Sequence, residues 1–116
     1  MRKIGILVSL MVVLVSCAVC ENQVLDRTES ATGETAILFV RSCGATTANS
    51  YHVSVLAAGR RLRNRSGNVF VGDSSTNPEI EWIESERLRI TYYGDRVFLK
   101  KESIGRVVIE YVELLR

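Results

Sequence analysis

The sequence predicts an all-β domain, folded as a small antiparallel sheet sandwich or a partly open barrel of six to seven strands. Two observations predict this class. Short runs of β-branched and aromatic residues recur about every ten residues, with turn-forming residues between them. Within these runs apolar and polar residues alternate, and no run has a convincing helical period. Such a pattern is typical of antiparallel sheets that bury one face.

The individual strands follow from this alternation. Cys43 and Gly44 end the first run, and the loop 73–78 contains the only proline of the chain, a residue that interrupts strands. A helix is an alternative only for the last run, where period two fits better. In order, the expected strands lie at 36–41, 51–56, 69–71, 79–84, 87–92, 97–99 and 105–112.

The clearest pair of strands is the predicted hairpin at 79–92. Ile80 and Trp82 point to one face, and glutamates alternate with them. After a turn near Ser85, apolar residues again alternate with arginines, which places Leu88 and Ile90 on the same inner face. We therefore expect a hairpin with an apolar inner face and a Glu/Arg outer face.

The first residues have the layout of an export signal. Arg2 and Lys3 precede an apolar run from Ile4 to Val15 that is interrupted by Gly5 and Ser9. A spanning helix needs about 20 apolar residues, so this run is short for a permanent anchor, which is the alternative interpretation. We expect residues 1–16 to be a signal peptide that is removed.

The signal ends in Leu14-Val15-Ser16-Cys17. This resembles the bacterial lipobox, which has four consecutive positions: an aliphatic residue, a small or β-branched residue, a small residue and a cysteine. The resemblance implies that diacylglycerol is attached to the Cys17 thiol and that cleavage leaves a lipidated Cys17 as the mature N-terminus. Ordinary secretory cleavage after 18–20 is the alternative. The residue after Cys17 is Ala18. An aspartate at this position would retain a lipoprotein at the inner membrane, so alanine favours the outer membrane in a species that has one.

The mature chain, about 100 residues long, is enough for one small domain. Residues 17–34 are expected to be a lipidated N-terminus and a flexible polar tether, and residues 35–116 the β-domain. The whole chain has 15 basic and 13 acidic residues, and loss of Arg2 and Lys3 leaves 13 of each. This balance gives no support to nucleic-acid binding or to a polybasic membrane patch, so the lipid alone is expected to anchor the protein.

Cys20 and Cys43 remain after Cys17 is assigned to the lipid. Export would place both in a compartment where disulfides persist, so the pair is a candidate disulfide. Against this, Cys20 lies three residues from the lipid, and a bridge would hold the domain close to the bilayer. The residues leave both alternatives open.

The segment from Cys43 to Ser50 is a candidate ligand loop. Gly44 permits a positive φ, and Thr46 and Thr47 can bond their own backbone or a polar ligand. A rigid structural turn is the alternative. His52 follows closely and would place an imidazole near the Cys43 thiol, but no orienting group or oxyanion site marks a catalytic constellation. We therefore expect no enzyme activity, with a small envelope enzyme or inhibitor that uses this loop as the alternative.

Parts of this region resemble a bacterial protein family. The matching stretches are Arg41 to Thr47, His52 to Val55 and Gly67 to Val71. They are similar to the Cys-Gly-Ala-Thr-Thr, Val-Ser-Val and Gly-Asn-Val-Phe pattern of small exported or lipid-anchored proteins, a domain of unknown function. The resemblance covers about a third of the chain and implies a fold and a compartment but no activity or substrate.

Two further clusters complete the candidate sites. Arg60, Arg61, Arg63 and Arg65 form a basic run, which is either a solvated loop or a patch for an anionic partner such as a lipid headgroup or a phosphorylated glycan. The glutamates between 79 and 86 are a counterpart that could neutralise it. One histidine and no Cys-x-x-Cys spacing beyond the lipobox region predict no metal site and no cofactor. The expected function is a membrane-anchored binding or structural module of the cell envelope, with an unidentified envelope protein or ligand as partner.

Overall fold

The computed structural model describes residues 19–44, 49–94 and 96–115. In these ranges the chain is all-β, as predicted, and its strands form two open sheets that share one core. Because neither sheet closes on itself, the fold is a sandwich and not a barrel. The strands are β1 (Glu21–Glu29), β2 (Thr35–Ser42), β3 (Ser50–Leu56), β4 (Phe70–Gly72), β5 (Glu79–Glu84), β6 (Arg87–Tyr93), β7 (Val97–Lys100), β8 (Ser103–Ile104) and β9 (Val107–Leu114).

The two sheets differ in size and in strand direction. The first sheet has the order β1-β2-β3-β4-β7, and all its pairings are antiparallel. The second sheet has the order β5-β6-β9-β8, and β6 runs parallel to β9. A parallel pair needs a long connection, and here the chain reaches β7 in the first sheet before it returns through β8. The sandwich is therefore mostly, not wholly, antiparallel.

The core lies between the two sheets and is built from alternating positions. In β6, Leu88, Ile90 and Tyr92 are buried while their neighbours are only half-buried. This alternation confirms the inner face predicted for the second strand of the hairpin. The other buried members of the core are Ala36, Leu38, Val53, Val55, Val69, Phe70, Ile80, Val107 and Ile109.

The strand β1 lies in the segment that was expected to be a flexible tether. Its pairing with β2 runs from Glu21 opposite Ser42 to Glu29 opposite Thr35, with a bulge between Val24 and Asp26. The tether prediction is therefore wrong for this stretch. An edge strand is held by backbone hydrogen bonds on one side and can expose most of its side chains, so it needs no apolar alternation.

Side-chain hydrogen bonds link the two sheets at their margins. The indole nitrogen Nε1 of Trp82 in β5 donates to the backbone oxygen of Thr28 in β1, at 3.0 Å. The hydroxyl of Tyr111 in β9 lies 2.7 Å from the backbone oxygen of Lys101. Trp82 is half-buried against the core, so it is less enclosed than the predicted inner-face position implied. Among the residues described, there is no helix of the length and hydropathy that crossing a membrane requires.

Candidate functional site

A disulfide joins β1 and β2 at the end of the hairpin that lies away from its turn. The sulfur atoms of Cys20 and Cys43 are 2.07 Å apart, and the two residues are separated by 23 positions in the sequence. Because Glu21 pairs with Ser42, the cysteines occupy the next opposed positions along the same two strands. The bridge therefore fixes the start of β1 to the end of β2, three residues after Cys17 in the sequence.

The candidate ligand loop begins directly after this bridge. Gly44 has a φ of 119°, a conformation that glycine adopts easily and other residues rarely do, as its position after the strand predicts. Thr46 and Thr47 lie outside the described residues. Cys43 holds no free thiol while it is bridged to Cys20, so it cannot act as a nucleophile in this form.

His52 is buried and packs against a neighbouring strand of the first sheet. Its side chain is 3 % exposed, and its ring stacks on Phe39 with a centroid distance of 5.2 Å. The backbone N–H of Gly67 donates to Nδ1 at 2.9 Å, so Nδ1 carries no proton. The other nitrogen, Nε2, lies 2.8 Å from the hydroxyl of Ser50.

Both ring nitrogens of His52 are thus occupied in the neutral form. Burial, and secondarily the positive charge of Arg41, lower the pKa of His52 to about 4. A proton on Nδ1 would abolish the hydrogen bond from Gly67. We conclude that His52 holds the segment around Gly67 on the sheet, and the arrangement gives no support to a catalytic pair with Cys43.

The segment 57–68 forms a third layer on the outer face of the first sheet. Ala36 and Leu38 of β2 face the core, so Ile37 and Phe39 point to the opposite side, yet both are fully buried. The cover is tied down by backbone-like hydrogen bonds. Asn68 accepts from the N–H of Val55 at 2.8 Å and donates to its oxygen at 3.0 Å, as a neighbouring strand would.

The basic run lies within this layer, and we call residues 57–66 the arginine loop. Asn22 of β1 donates through Nδ2 to the backbone oxygens of Arg63 at 3.2 Å and Arg65 at 3.1 Å. Arg41 of β2 donates to the side-chain oxygens of Asn22 at 2.7 Å and Asn64 at 2.9 Å. This network pins the loop beside the first residues of β1.

The arginines of the loop lie on the surface of the domain. Arg60, Arg61, Arg63 and Arg65 are all exposed. Among the described residues none of them forms an ion pair, since the five ion pairs use Arg87, Arg89, Arg96 and Arg106. The basic run is therefore a set of exposed, uncompensated charges on an ordered backbone.

The glutamates of the second sheet do not neutralise this run. Glu81 lies 3.9 Å from Arg89, Glu84 lies 3.8 Å from Arg87, and Glu86 lies 3.7 Å from Arg106. Each pairs with an arginine of β6 or of the β8–β9 turn. The alternative in which they compensate the arginine loop is therefore wrong.

The oxygen-rich loop after β4 is also occupied by internal contacts. Asp73 forms an ion pair with Arg96 at 3.2 Å, and the hydroxyl of Tyr51 donates to Asn77 at 2.9 Å. Ser74 accepts from the backbone N–H of Tyr93 at 3.1 Å. Across the described part of the chain, no three His, Cys, Asp or Glu side chains are placed to hold a metal ion.

Sequence reasoning missed the asparagines that attach the third layer. Asn22, Asn64 and Asn68 carry its hydrogen bonds, and the Gly-Asn-Val-Phe stretch that contains Asn68 implied no contact for it. One signal was present: the run from Ala36 to Val40 is apolar on both alternating faces, which indicates a strand covered on both sides.

The chain was compared with protein-family models, curated proteins and solved structures, and nothing matched.

Proposed function

We propose that this chain is a bacterial lipoprotein, held at the membrane by a lipid on Cys17, and that its β-sandwich is a binding or structural module of the cell envelope. The observation that carries the proposal is the order of residues at the N-terminus: Arg2 and Lys3, a short apolar run, and Leu14-Val15-Ser16-Cys17. The similarity to exported proteins of unknown function at residues 41–71 agrees with it and stays a prediction.

The bridge between Cys20 and Cys43 supports export. Disulfides persist in secreted and envelope proteins, whereas the cytosol keeps thiols reduced. A bridge that starts three residues after Cys17 also leaves the lipid-bearing cysteine as the one cysteine outside the disulfide. The three cysteines thus have two distinct roles in this proposal.

The ordered strand β1 changes where the module would sit. It begins at Glu21, so only three residues separate the ordered sheet from Cys17. Three residues reach at most about 10 Å when fully extended. The module would therefore lie at the membrane surface, with the disulfide of Cys20 and Cys43 near the headgroups, and not at the end of a long tether.

A labelling experiment tests the anchor. In a bacterium that processes lipoproteins, the unaltered chain should incorporate a radiolabelled fatty acid and lose residues 1–16. Cys17→Ser should remain an unlabelled precursor because only a thiol at this site can be alkylated. Cys20→Ser is the matched control and should still be labelled. If Cys17→Ser is labelled and processed like the unaltered chain, the proposal is wrong.

A further inference from the structure

We propose that the arginine loop is a second membrane contact, which binds the phosphates of anionic lipid headgroups in the bilayer that holds the N-terminus. The inference rests on the proposed lipid at Cys17 for its geometry. It goes beyond that anchor because it assigns a ligand to a surface of the folded domain.

The position of the loop is the first argument. Asn22 fixes the backbone of Arg63 and Arg65, and Asn22 itself lies two residues after the bridged Cys20. The loop therefore runs from the end of β3 to Asn22, and its part at 63–65 lies beside the end of the sheet from which the chain continues back to Cys17. A lipid at Cys17 would bring this end, with Arg63 and Arg65, to the level of the headgroups. In this proposal the outer face of the first sheet then lies along the bilayer, which brings Arg60 and Arg61 to it as well.

The charge of the loop is the second argument. Its four arginines are exposed and have no acidic partner within ion-pair distance in the described ranges. The nearest acidic residue along β1, Glu21, borders a cavity with Arg63 but is not paired with it. Arginine presents a planar set of donors that suits phosphate oxygens, so these side chains are available to an external anion.

The shape of the surface is the third argument. A cavity of about 890 Å³ opens between the loop and the end of β3, and its lining includes all four arginines together with Ser66 and Asn68. Leu56 and Leu62 contribute apolar surface to the same cavity. A phosphate with its glycerol backbone has this mixed character, since charged oxygens lie next to aliphatic carbons.

The formal neutrality of the mature chain does not oppose this assignment, although it removed sequence-level support for a basic patch. Four arginines lie close together in the arginine loop, while Glu81, Glu84 and Glu86 are paired with Arg89, Arg87 and Arg106. Juxtamembrane arginines are attracted to an anionic surface within a Debye length, whatever the net charge of the protein.

Amide hydrogen exchange on the full lipidated chain tests the inference. The protein would be purified from bacterial membranes and reconstituted in vesicles of phosphatidylcholine alone or mixed with phosphatidylglycerol. We expect exchange in residues 57–66 to slow by about fivefold or more with phosphatidylglycerol, the factor that corresponds to one arginine at an anionic surface. High salt should reverse the effect.

Two charge variants give the matched comparison. Replacement of Arg60, Arg61, Arg63 and Arg65 by glutamine should abolish the difference between the two vesicles. Replacement of Arg96 and Arg106 by glutamine should leave it intact, because these side chains are also exposed, at 73 % and 77 %, but lie outside the loop. Equal exchange in both vesicles, or the same loss in both variants, would overturn the inference.

Two outcomes separate this inference from the anchor. If the intact mass shows no lipid on Cys17 but phosphatidylglycerol vesicles still slow exchange in the loop, the inference holds and the anchor fails. If Cys17 is lipidated and the loop does not respond, the inference alone is wrong. A response to a soluble phosphorylated glycan with none to phosphatidylglycerol also contradicts it, because the partner would then be a polymer and not the bilayer.

Discussion

Acid should weaken the fold through His52, the only histidine of the chain. In the folded protein its pKa is lowered from 6.5 to about 4, whereas the unfolded chain regains the ordinary value. At a pH between these two pKa values, the unfolded state binds a proton at His52 and the folded state does not. The stabilisation is complete above the unfolded pKa and is lost as the pH falls towards the folded pKa.

The size of this effect follows from the shift. One pKa unit corresponds to about 1.4 kcal/mol, and the shift from 6.5 to about 4 would give about 3 kcal/mol without screening. Ser50, which contacts Nε2, is only half-buried, so we expect solvent to reduce the loss to about 2 kcal/mol. Carboxylates titrate chiefly below about pH 5, so the range above that reports on His52.

The assay is urea unfolding of a soluble chain that begins at Ala18, and the fluorescence of Trp82 monitors the unfolding. His52→Asn is the control, since the amide oxygen can accept the hydrogen bond from Gly67 but does not titrate. We expect the unaltered chain to lose stability between about pH 7 and pH 5 while the variant stays level. Parallel curves for the two proteins would refute the neutral, buried histidine.

Three further perturbations test the fold around the site. In the same urea titration, Gly67→Ala should lower the free energy of unfolding by more than about 3 kcal/mol, because the added Cβ would lie 2.7 Å from the backbone oxygen of Val53. Gly59→Ala is the control: the added Cβ would enter open space, and the φ of 81° alone should cost about 1 kcal/mol. Replacement of both Cys20 and Cys43 by serine should lower the free energy of unfolding by about 3 kcal/mol, and an unchanged midpoint would show that the bridge contributes nothing. Trp82→Phe should cost about 1 kcal/mol through loss of the hydrogen bond to Thr28, measured by circular dichroism because the variant lacks the fluorescent indole. In the unaltered chain the emission of Trp82 should be that of a half-buried indole, and emission from a fully enclosed indole would contradict this packing.

Alternation in the sequence was sufficient to predict the sandwich and the inner face of β6, because burial of one face imposes a period of two. It was insufficient for β1, whose side chains are mostly exposed and whose pairing depends on backbone bonds that any residue can make. The parallel pairing of β6 with β9 could not be predicted either, because the alternation within a strand does not depend on the direction of its neighbour.

The candidate site was predictable in its composition but not in its arrangement. The basic run and the pair Cys20 and Cys43 are visible in the sequence, whereas the third layer depends on scattered asparagines, such as Asn22 and Asn68, at long range. His52 lies in the strand that was predicted at 51–56. Its burial was not predicted, because the segment that covers it is polar in sequence and attaches through hydrogen bonds.

The most direct test of the central claim is the mass of the N-terminal peptide of the mature protein, isolated from the membranes of a bacterium that processes lipoproteins. We expect this peptide to begin at Cys17 and to carry the mass of a diacylglycerol thioether. A peptide that begins after position 17 without a lipid, or one that retains residues 1–16, would contradict it.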